Sequence, residues 1–275
     1  MILSFHPCYT GDKNLLCAGR EPNETDINLI KKASAVILPQ GCKESLYEVT
    51  KKNCQNMFPN YDARFEYKEK IGQSILFQKI NVSYPKTKCF DSVLDFINFY
   101  EKGHLKFNLP FVFKFNWGGE GDNVFLIESE QNIKDIIEKA ILYEKTGQQG
   151  FLMQEYIPSK NKSLRVVVIY KYFKSYWRVQ KNFDKFKTNL KDGAEIDYES
   201  NKELQEQGIE LVKEFCNESK INLAGFDLIF SSNSLQPFFI EINYFFGRNG
   251  FGGSRNYYKI LIKEINRWIH SVISK

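Results

Sequence analysis

The chain has 275 residues, enough for one large domain or for two to three small lobes around a sizeable hydrophobic core. Hydrophobic residues make up 43% of the chain and charged residues 26%, which is typical of a soluble globular protein. The net charge of +5 suits a protein that handles small anionic molecules, but the basic residues do not form the dense blocks of a nucleic-acid-binding surface.

The cysteines and the apolar runs exclude further classes of protein. The six cysteines form no C-x-x-C pair and there are only three histidines, which argues against structural zinc and a disulfide framework. Met1–Phe5 is too short for the apolar part of a signal peptide, and every apolar run is shorter than a membrane span. We therefore expect a cytoplasmic protein that does not contact a membrane.

The front of the chain alternates short apolar strands with helices. Met1–Phe5 and Ala35–Pro39 are predicted to be buried strands. Glu24–Ala33 and Glu44–Asn53 are predicted to be helices, and Asn23 is a suitable cap for the first of them. This alternation predicts a small parallel α/β lobe.

A helix is predicted over Tyr67–Gln78, with Lys68 and Lys70 near its start. Cationic side chains at a helix N-terminus oppose the helix dipole. One of these lysines could therefore be placed to meet an anion. A solvated, lysine-rich face is the alternative, and the helix taken alone favours it.

A glycine-rich loop follows the aromatic strand Pro110–Phe115. The loop reads N-W-G-G-E-G-D-N-V, contains Gly118, Gly119 and Gly121, and leads into a strand over Val124–Ile127. Glycines let backbone N–H groups approach phosphates, so this hairpin predicts a flexible flap over a polyphosphate. A plain hairpin turn is the alternative, and the lysine at position 114, just before the loop, favours the flap.

Three further strands are predicted over Phe151–Ile157, Leu164–Tyr170 and Lys174–Gln180, forming an antiparallel meander. Arg165 and Arg178 interrupt their apolar surroundings. Arginine in such a position usually faces a phosphate or a carboxylate, because its planar fork satisfies two oxygens. A structural ion pair remains the alternative for either residue.

The most informative stretch is a predicted strand pair joined by a turn at Ser231–Gln236. Asp227 lies in the first strand, and Glu241 and Asn243 lie two residues apart in the second, so that the latter two point to the same face. Three oxygen donors on adjacent strands suit Mg²⁺. Outward-pointing polar residues on an ordinary strand pair are the alternative. The last helix, predicted over Tyr257–Ile273, is expected to pack on this sheet rather than to contact a membrane.

In chain order, five motifs resemble those of the ATP-grasp superfamily, in particular the branch of glutathione synthetases and RimK-like amino-acid ligases. They are K-E-K-I-G-Q followed by Y-P-K-T, then P-F-V-F-K with the glycine-rich loop, M-Q-E-Y-I, the set L-R-V-V-V, W-R-V and F-K-T-N-L-K-D-G, and finally G-F-D with I-E-I-N. The resemblance covers Phe65 to the C-terminus. It implies an α/β (α+β) ATP-grasp fold with a small N-terminal parallel α/β lobe at 1–66, a small subdomain at 67–157 carrying the flap, and a core subdomain at 158–275 carrying the metal site and the closing helix.

The resemblance also implies a role for each motif residue. The residues expected to bind ATP are Lys70, Lys114, Gly118, Gly119, Gly121, Gln154, Glu155, Tyr156 and Ile157, with the backbone of the last two at the adenine edge. The expected catalytic residues are Arg165, Arg178 and Asn189. The expected ligands of Mg²⁺, or of Mn²⁺ in its place, are Asp227, Glu241 and Asn243. Three features depart from the family pattern: Ser163 stands where an acidic residue often binds ribose, Asp122 replaces a small flap residue, and the tail is rich in glycine and arginine, including Arg248 and Arg255.

The implied activity is ATP-dependent ligation of a carboxylate to an amine through an acyl-phosphate intermediate. The partners are small molecules, with an amino acid, a peptide or a protein terminus as acceptor, and neither nucleic acid nor membrane. A kinase acting on a small-molecule hydroxyl and a non-catalytic nucleotide-binding regulatory protein are the alternatives. The sequence leaves open the identity of both substrates and whether the chain forms a homo-oligomer.

Overall fold

A computed structural model describes residues 1–102, 107–119, 121–182 and 185–273. Within these residues the strands form three sheets: one of four strands in the first lobe, a second of four strands (the small sheet) and one of five strands (the large sheet). The strands are β1 (Ile2–Ser4), β2 (Lys13–Asn14), β3 (Ala35–Ile37), β4 (Met57–Phe58), β5 (Thr87–Phe90), β6 (Phe111–Phe115), β7 (Val124–Ile127), β8 (Phe151–Glu155), β9 (Lys162–Ile169), β10 (Tyr172–Val179), β11 (Glu195–Asp197), β12 (Leu223–Phe230) and β13 (Pro237–Asn243). The helices are α1 (Glu24–Lys32), α2 (Glu44–Asn53), α3 (Asp62–Glu66), α4 (Glu69–Ile80), α5 (Val93–Glu101), α6 (Glu130–Glu144), α7 (Lys202–Ser219) and α8 (Ser254–Ile273), with short 3-10 turns at Leu190–Asp192 and Asn249–Phe251. The domain boundaries given above stay predictions.

The first lobe is a parallel sheet in the order β2-β1-β3-β4. Helix α1 begins with a capping box, in which the Asn23 side chain accepts from the backbone N–H of Asp26 (3.0 Å) and the Asp26 carboxylate accepts from the backbone N–H of Asn23 (2.9 Å). Two N–H groups that a helix start leaves unpaired are satisfied in this way. The predicted parallel α/β lobe is confirmed, and α2 has the predicted bounds.

The small sheet is antiparallel, in the order β5-β8-β6-β7, and one of its faces packs under α5 and α6. Aromatic rings fill that side: the centroids of Phe113 and Phe151 lie 4.7 Å apart, in a stacked arrangement. Because successive strand residues point to opposite faces, Lys114 of β6 and Gln154 of β8 lie on the uncovered face. Their exposed fractions are nevertheless only 7% and 6%. The predicted hairpin between β6 and β7 is confirmed.

The predicted meander is wrong in one respect. The strand expected over Phe151–Ile157 does not join the two that follow it: β8 pairs with β5 and β6 in the small sheet, whereas β9 and β10 pair in the large sheet. The chain passes from one sheet to the other where Lys160 and Asn161 both adopt left-handed backbone conformations. Pairing with β6 buries Phe151 and Met153 in the aromatic core under α5 and α6, which explains why β8 belongs there.

The large sheet is antiparallel, in the order β11-β10-β9-β12-β13. Helix α7 covers one face, where the ring centroids of Phe215 and Phe226 of β12 lie 5.4 Å apart. Helix α8 covers part of the other face through Leu261 and Ile265, so the packed position predicted for the last helix is confirmed. No helix in the described part of the chain is long and apolar enough to cross a membrane. The uncovered part of this face is polar.

A β-bulge interrupts the pairing of β12 with β13. Asp227 pairs with Glu241, but the residue after Asp227 pairs with Phe239, so Ile240 is an extra residue. The bulge lets Phe239 and Ile242, three residues apart, both enter the core shared with α7. Glu241 therefore points away from that core, toward the small sheet.

Candidate active site

A cavity lies between the uncovered face of the small sheet and the polar part of the large sheet. It is lined by α4, by β6 and β8 on one wall, by β12 and β13 on the other, and by the segment after β10. The charged lining side chains are Lys70, Lys114, Glu155, Lys162, Arg178, Lys187, Asp227 and Glu241, and apolar ones include Val112, Leu152, Ile157, Ile229 and Ile240. Basic groups outnumber carboxylates in this lining, which favours an anionic ligand.

Lys114 and Lys70 bring two ammonium groups to this cavity from different elements. Burial lowers the pKa of Lys114 to about 8, although the nearby Glu241 carboxylate acts in the opposite direction. The Nζ of Lys70 donates to the backbone carbonyls of Trp117 (2.9 Å) and Gly118 (2.8 Å), and burial lowers the pKa of this lysine too. A bound anion would offset the cost of keeping both groups charged. Their contact with ATP phosphates stays a prediction.

Asp227 accepts hydrogen bonds from two arginines. The Nε of Arg165 donates to one carboxylate oxygen (2.6 Å) and its Nη2 to the other (2.9 Å), while Arg178 forms an ion pair with the same carboxylate. Burial by itself raises the pKa of Asp227, but the two guanidinium groups lower it to about 2. The register explains the first contact, since Arg165 stands directly opposite Asp227 on neighbouring strands.

The two arginines differ in what they can offer a ligand. Both arginines form an ion pair with Asp227, which the sequence analysis gave as the alternative to a ligand contact. Arg165 is absent from the cavity lining, whereas Arg178 lines it. The Nε of Arg178 is buried and has no hydrogen-bond partner among the described residues. Arg178 therefore keeps a donor for a ligand, and the predicted contact of Arg165 with a transferred phosphoryl group stays a prediction.

The side chain of Glu241 forms no hydrogen bond or ion pair with the described part of the chain, in contrast to that of Asp227. Burial raises the pKa of Glu241, and the negative charge of Asp227 raises it further, while the ammonium groups of Lys70 and Lys114 oppose this shift. Asn243 lies nearby, and its Nδ2 donates to Asp227 Oδ2 (3.1 Å). Two carboxylates and one amide thus meet at the end of the β12–β13 pair.

These three side chains fit Mg²⁺. The Glu241 carboxylate is half-buried and its side chain has no partner among the described residues, and oxygen donors of this kind are the ligands that Mg²⁺ prefers. Asp227 already accepts from four N–H groups, so a metal would bind Glu241 first and replace one of these contacts at Asp227. Among the described residues there is no group of three His, Cys, Asp or Glu side chains arranged for a metal, and the binding of Mg²⁺ by Asp227, Glu241 and Asn243 stays a prediction.

The glycine-rich loop between β6 and β7 reaches the segment that follows β10. The Nζ of Lys187 donates to the carbonyl of Gly121 (2.7 Å), and Lys191 pairs with Asp122. Asp122, which departs from the family pattern, thus forms a charged contact between the loop and the large sheet's side of the cavity. The loop therefore extends over the cavity, as expected of a flap, and its role as a phosphate cover stays a prediction.

Two of the three flap glycines have a structural requirement. Gly121 has a φ of +76°, and a Cβ there would lie 2.1 Å from the side-chain nitrogen of Asn189. Gly118 has a φ of +84°, and its Cβ would lie 2.6 Å from the amide of Asn123. A side chain is therefore strained at both positions. At Gly119 a Cβ would meet nothing within 4 Å, so the described residues do not require glycine there.

The segment expected to receive adenine also lines the cavity. Gln154, Glu155, Tyr156 and Ile157 are all in the lining, at the point where the chain leaves the small sheet. Ser163, where the resemblance would place an acidic residue, shares a hydrogen bond with Thr188 (2.7 Å). Its hydroxyl is thus engaged within the protein.

Two positioning side chains were not expected from the sequence. The Gln73 amide accepts from the backbone N–H of Ile242 (2.8 Å) and donates to its carbonyl (2.9 Å), and so holds the edge strand β13. Asn116 accepts from the backbone N–H of Ile71 (2.9 Å) and caps α4 from outside the helix. Gln73 lies three residues after Lys70 on the same helix, and this spacing could have indicated its role. No local sequence pattern indicated the role of Asn116.

The family of RimK-like ATP-grasp domains matches residues 68–269. The chain belongs to this family. The match includes every residue of the predicted site, from Lys70 to Asn243, and supports the prediction of an ATP-dependent C–N ligase. No curated protein matches the sequence.

Solved structures of the ATP-grasp fold are similar to this chain at low sequence identity. A RimK-domain ATP-grasp protein from Sphaerobacter thermophilus has a TM-score of 0.64 and 13% identity, over 96% of this chain and 98% of that one. D-Alanine–D-alanine ligase from Bacillus anthracis has a TM-score of 0.61 and 13% identity, over 95% and 86%. The ADP complex of N5-carboxyaminoimidazole ribonucleotide synthetase has a TM-score of 0.60 and 10% identity, over 89% of this chain but 63% of that one, so this chain spans less than two thirds of that enzyme. These similarities confirm the predicted fold.

Proposed function

We propose that this protein is an ATP-dependent carboxylate–amine ligase that forms an amide or peptide bond. The observation that carries the proposal is Arg178, whose buried Nε is without a partner among the described residues in a cavity also lined by Lys70 and Lys114. A buried donor without an acceptor costs free energy, and a phosphate group matches the guanidinium fork. A polyphosphate is the ligand that would satisfy all three cationic groups together.

The reaction consists of two transfers. The carboxylate of one substrate attacks the γ-phosphorus of ATP, and ADP leaves, which gives an acyl phosphate. The amine of the second substrate then attacks the acyl carbon, phosphate leaves, and the nitrogen loses a proton. Such chemistry requires in-line positioning and charge stabilisation rather than a nucleophilic side chain of the protein.

The side chains of the cavity divide this work. Lys70 and Lys114 neutralise phosphate oxygens, and Arg178 binds the group that is transferred. Arg165 acts through Asp227, because its two hydrogen bonds hold that carboxylate in place. Mg²⁺, held by Glu241, Asp227 and Asn243, would supply further positive charge to the phosphates, and Mn²⁺ suits the same donors.

The flap excludes water from the acyl phosphate, which water would otherwise hydrolyse. The contacts of Gly121 and Asp122 with the segment after β10 supply this cover. Asn189 supports the site, since it lines the cavity and its side-chain amide lies against Gly121.

Arg248 is the candidate contact for an anionic group of the carboxylate substrate. Its guanidinium lies 5.3 Å and 4.6 Å from the ring centroids of Tyr257 and Tyr258, and it has no carboxylate partner in the described parts of the chain. The tail that carries it packs on the first lobe, where the Gln40 amide donates to the carbonyl of Tyr244 (2.9 Å). Ligands of parallel α/β sheets bind at the carboxyl ends of the strands, and Gln40 follows β3 at such an end. Arg255 is exposed farther along the same tail.

A phosphate-release screen of amino acids and short peptides tests the proposal, with products identified by mass spectrometry. Hydroxylamine is added in parallel, because it traps an acyl phosphate as a hydroxamate. We expect ATP-dependent phosphate release with hydroxamate or amide formation. A stable phosphorylated product without hydroxamate would favour the kinase. Nucleotide binding without turnover across the whole screen would favour a regulatory protein.

A further inference from the structure

His6 is a buried polar side chain at the carboxyl end of β1, and it has no part in the reaction as described so far. It follows β1 by two residues, and only 8% of its surface is exposed. The Oγ of Ser4 accepts from the backbone N–H of His6 (3.2 Å) and donates to the backbone carbonyl of Tyr9 (2.8 Å), which fixes the turn after the strand. Parallel α/β sheets bind their ligands at this end of the strands.

A hydrogen bond to the imidazole ring of His6 fixes which nitrogen carries the proton. Nδ1 accepts from the backbone N–H of Cys8 (3.1 Å). Turning the ring over would place a C–H group against this N–H. The pKa of His6 is lowered to about 4, mainly by burial and also by the charge of Arg248, so the ring is neutral near pH 7. A neutral imidazole whose Nδ1 accepts carries its proton on Nε2.

The Nε2–H group of His6 is a donor without an acceptor among the described residues. In that part of the chain, the side-chain atoms that are fully buried and have no partner are Ser45 Oγ and Arg178 Nε. The Nε2 of His6 also lacks a partner but is not fully buried, so it belongs to the 8% of the residue that is exposed. Because buried polar residues normally have their hydrogen bonds satisfied, this group is placed to donate to a ligand.

Arg248 brings a positive charge close to this donor. Its guanidinium lies 4.6 Å from the ring centroid of Tyr258, and the His6 ring meets the same tyrosine edge-on, with the centroids 6.3 Å apart. The Nη1 of Arg248 donates to the hydroxyl of Ser254 (3.3 Å), which leaves the charge itself uncompensated. One guanidinium and one neutral N–H suit a carboxylate, because its two oxygens accept from both and its single charge is matched. A phosphate monoester would bring a charge of about −2.

We propose that His6 and Arg248 bind the non-reacting carboxylate of the acid substrate, which makes that substrate a dicarboxylic acid. The inference rests on the proposed function, which places the reacting carboxylate beside Arg178 and the metal site. Arg248 follows Asn243 by five residues, so its backbone lies within about 18 Å of the metal site. An amide in place of the bound carboxylate loses the charge and one accepting oxygen. Discrimination on the order of tenfold to a hundredfold is expected from this loss.

Hydroxamate formation from ATP, Mg²⁺ and hydroxylamine tests the inference without knowledge of the amine substrate. Succinate, glutarate, L-aspartate and L-glutamate are each compared with the corresponding monoamide, namely succinamate, glutaramate, L-asparagine and L-glutamine. The wild-type protein should use at least one dicarboxylic acid with a kcat/KM about tenfold or more above that of its monoamide. O-phosphoserine is the probe for a phosphate group in place of the carboxylate.

His6→Phe keeps a ring and removes both nitrogens. For the preferred dicarboxylic acid, KM should rise about tenfold while kcat stays within about twofold, because the lost contact is to a part of the substrate that does not react. The affinity for ATP, measured by calorimetry, should not change. His6→Gln keeps an N–H donor and should keep KM within about threefold of the wild-type value.

His270→Phe is the matched control, since it replaces an exposed histidine near the end of α8, and it should leave KM unchanged. If His6→Phe does not fold, Arg248→Met takes its place: it keeps an aliphatic stem over Tyr258, removes the charge, and should raise KM for the dicarboxylic acid but not for its monoamide.

Activity of the wild-type protein that is equal for dicarboxylic acids and their monoamides, or confined to monocarboxylic acids, overturns the inference and leaves the ligase proposal standing. So does an unchanged KM in both His6→Phe and Arg248→Met. A preference for O-phosphoserine over every dicarboxylic acid overturns the assignment to a carboxylate. Absence of hydroxamate and of phosphate release with every acid overturns both the inference and the ligase proposal.

Discussion

Replacing Asp227 with alanine removes the single carboxylate that pairs with two buried guanidinium groups. Asp227 and Arg165 have side chains exposed to only 9% and 7%, and Arg178 to 11%. After the substitution both arginines would stay charged in the same place without a counter-ion. The loss of a partner from a buried ion pair is strongly destabilising for this reason.

The pKa of Asp227 and the losses measured for buried ion pairs in general both give the expected magnitude. The pKa of Asp227 falls from 3.8 to about 2 because the two guanidinium groups outweigh burial. At about 1.4 kcal/mol per pKa unit, this favours the ionised over the protonated carboxylate by about 2 kcal/mol. Truncation also removes the hydrogen bonds that a protonated carboxyl group would keep. Measured losses for broken buried pairs are about 3–5 kcal/mol, and we expect a value in that range.

Urea-induced unfolding measures the loss. Tryptophan fluorescence follows the unfolding, and Trp177, one of three tryptophans, is 2% exposed on β10 of the large sheet. Asp135→Ala, on the exposed face of α6, is the matched control and should change the free energy of unfolding by less than about 0.5 kcal/mol. A loss below about 1 kcal/mol for Asp227→Ala, at an unchanged dependence on urea concentration, would refute the view that Asp227 holds the two arginines.

Three further substitutions test the site and its surroundings. Glu241→Ala should abolish Mg·ATP turnover while the thermal unfolding temperature stays close to the wild-type value, because the Glu241 side chain has no hydrogen bond to the described residues to lose. Turnover at the wild-type rate would contradict the metal assignment. Lys114→Ala should weaken ATP binding about tenfold to a hundredfold in calorimetry, since it removes a buried charge from the phosphate end, and unchanged affinity would count against the flap and phosphate assignment. Burial, and to a lesser degree Arg248, lowers the pKa of His6 from 6.5 to about 4. The contribution of neutral His6 to stability is therefore complete above pH 6.5 and is lost as the pH falls toward 4. The total loss is on the order of 3 kcal/mol. His6→Gln should flatten the pH dependence of the free energy of unfolding in this range, and parallel curves for the two proteins would rule out His6 as its source.

The elements that follow from local pattern were predictable from the sequence. Asn23 is the N-cap of α1 and Asp26, three residues later, is its reciprocal partner, and the helix begins directly after Asn23. The alternation of apolar strands and helices predicted the parallel first lobe. The antiparallel pairing of the strand of Asp227 with the strand of Glu241 followed from two apolar runs and the short turn between them, because neighbouring runs joined by a turn form a hairpin.

The features that depend on distant residues were not predictable in this way. Strand β8 has the same kind of pattern as β9, and only the aromatic core under α5 and α6 decides which sheet it joins. The bulge at Ile240 depends on both faces of the sheet at once. The partners of Arg165 and Asn116 are 62 and 45 residues away in the chain, and the periodicity of a sequence window carries no information about such contacts.

The external cap on α4 has a mechanical consequence. Asn116 follows Lys114 by two residues at the root of the flap, and its bond to Ile71 joins that root to the helix of Lys70. The same helix holds the edge strand of Glu241 through Gln73. Opening of the flap therefore has to bend the hairpin beyond Asn116. Displacing Asn116 itself would move Lys70, Lys114 and Glu241 together away from their positions in the cavity.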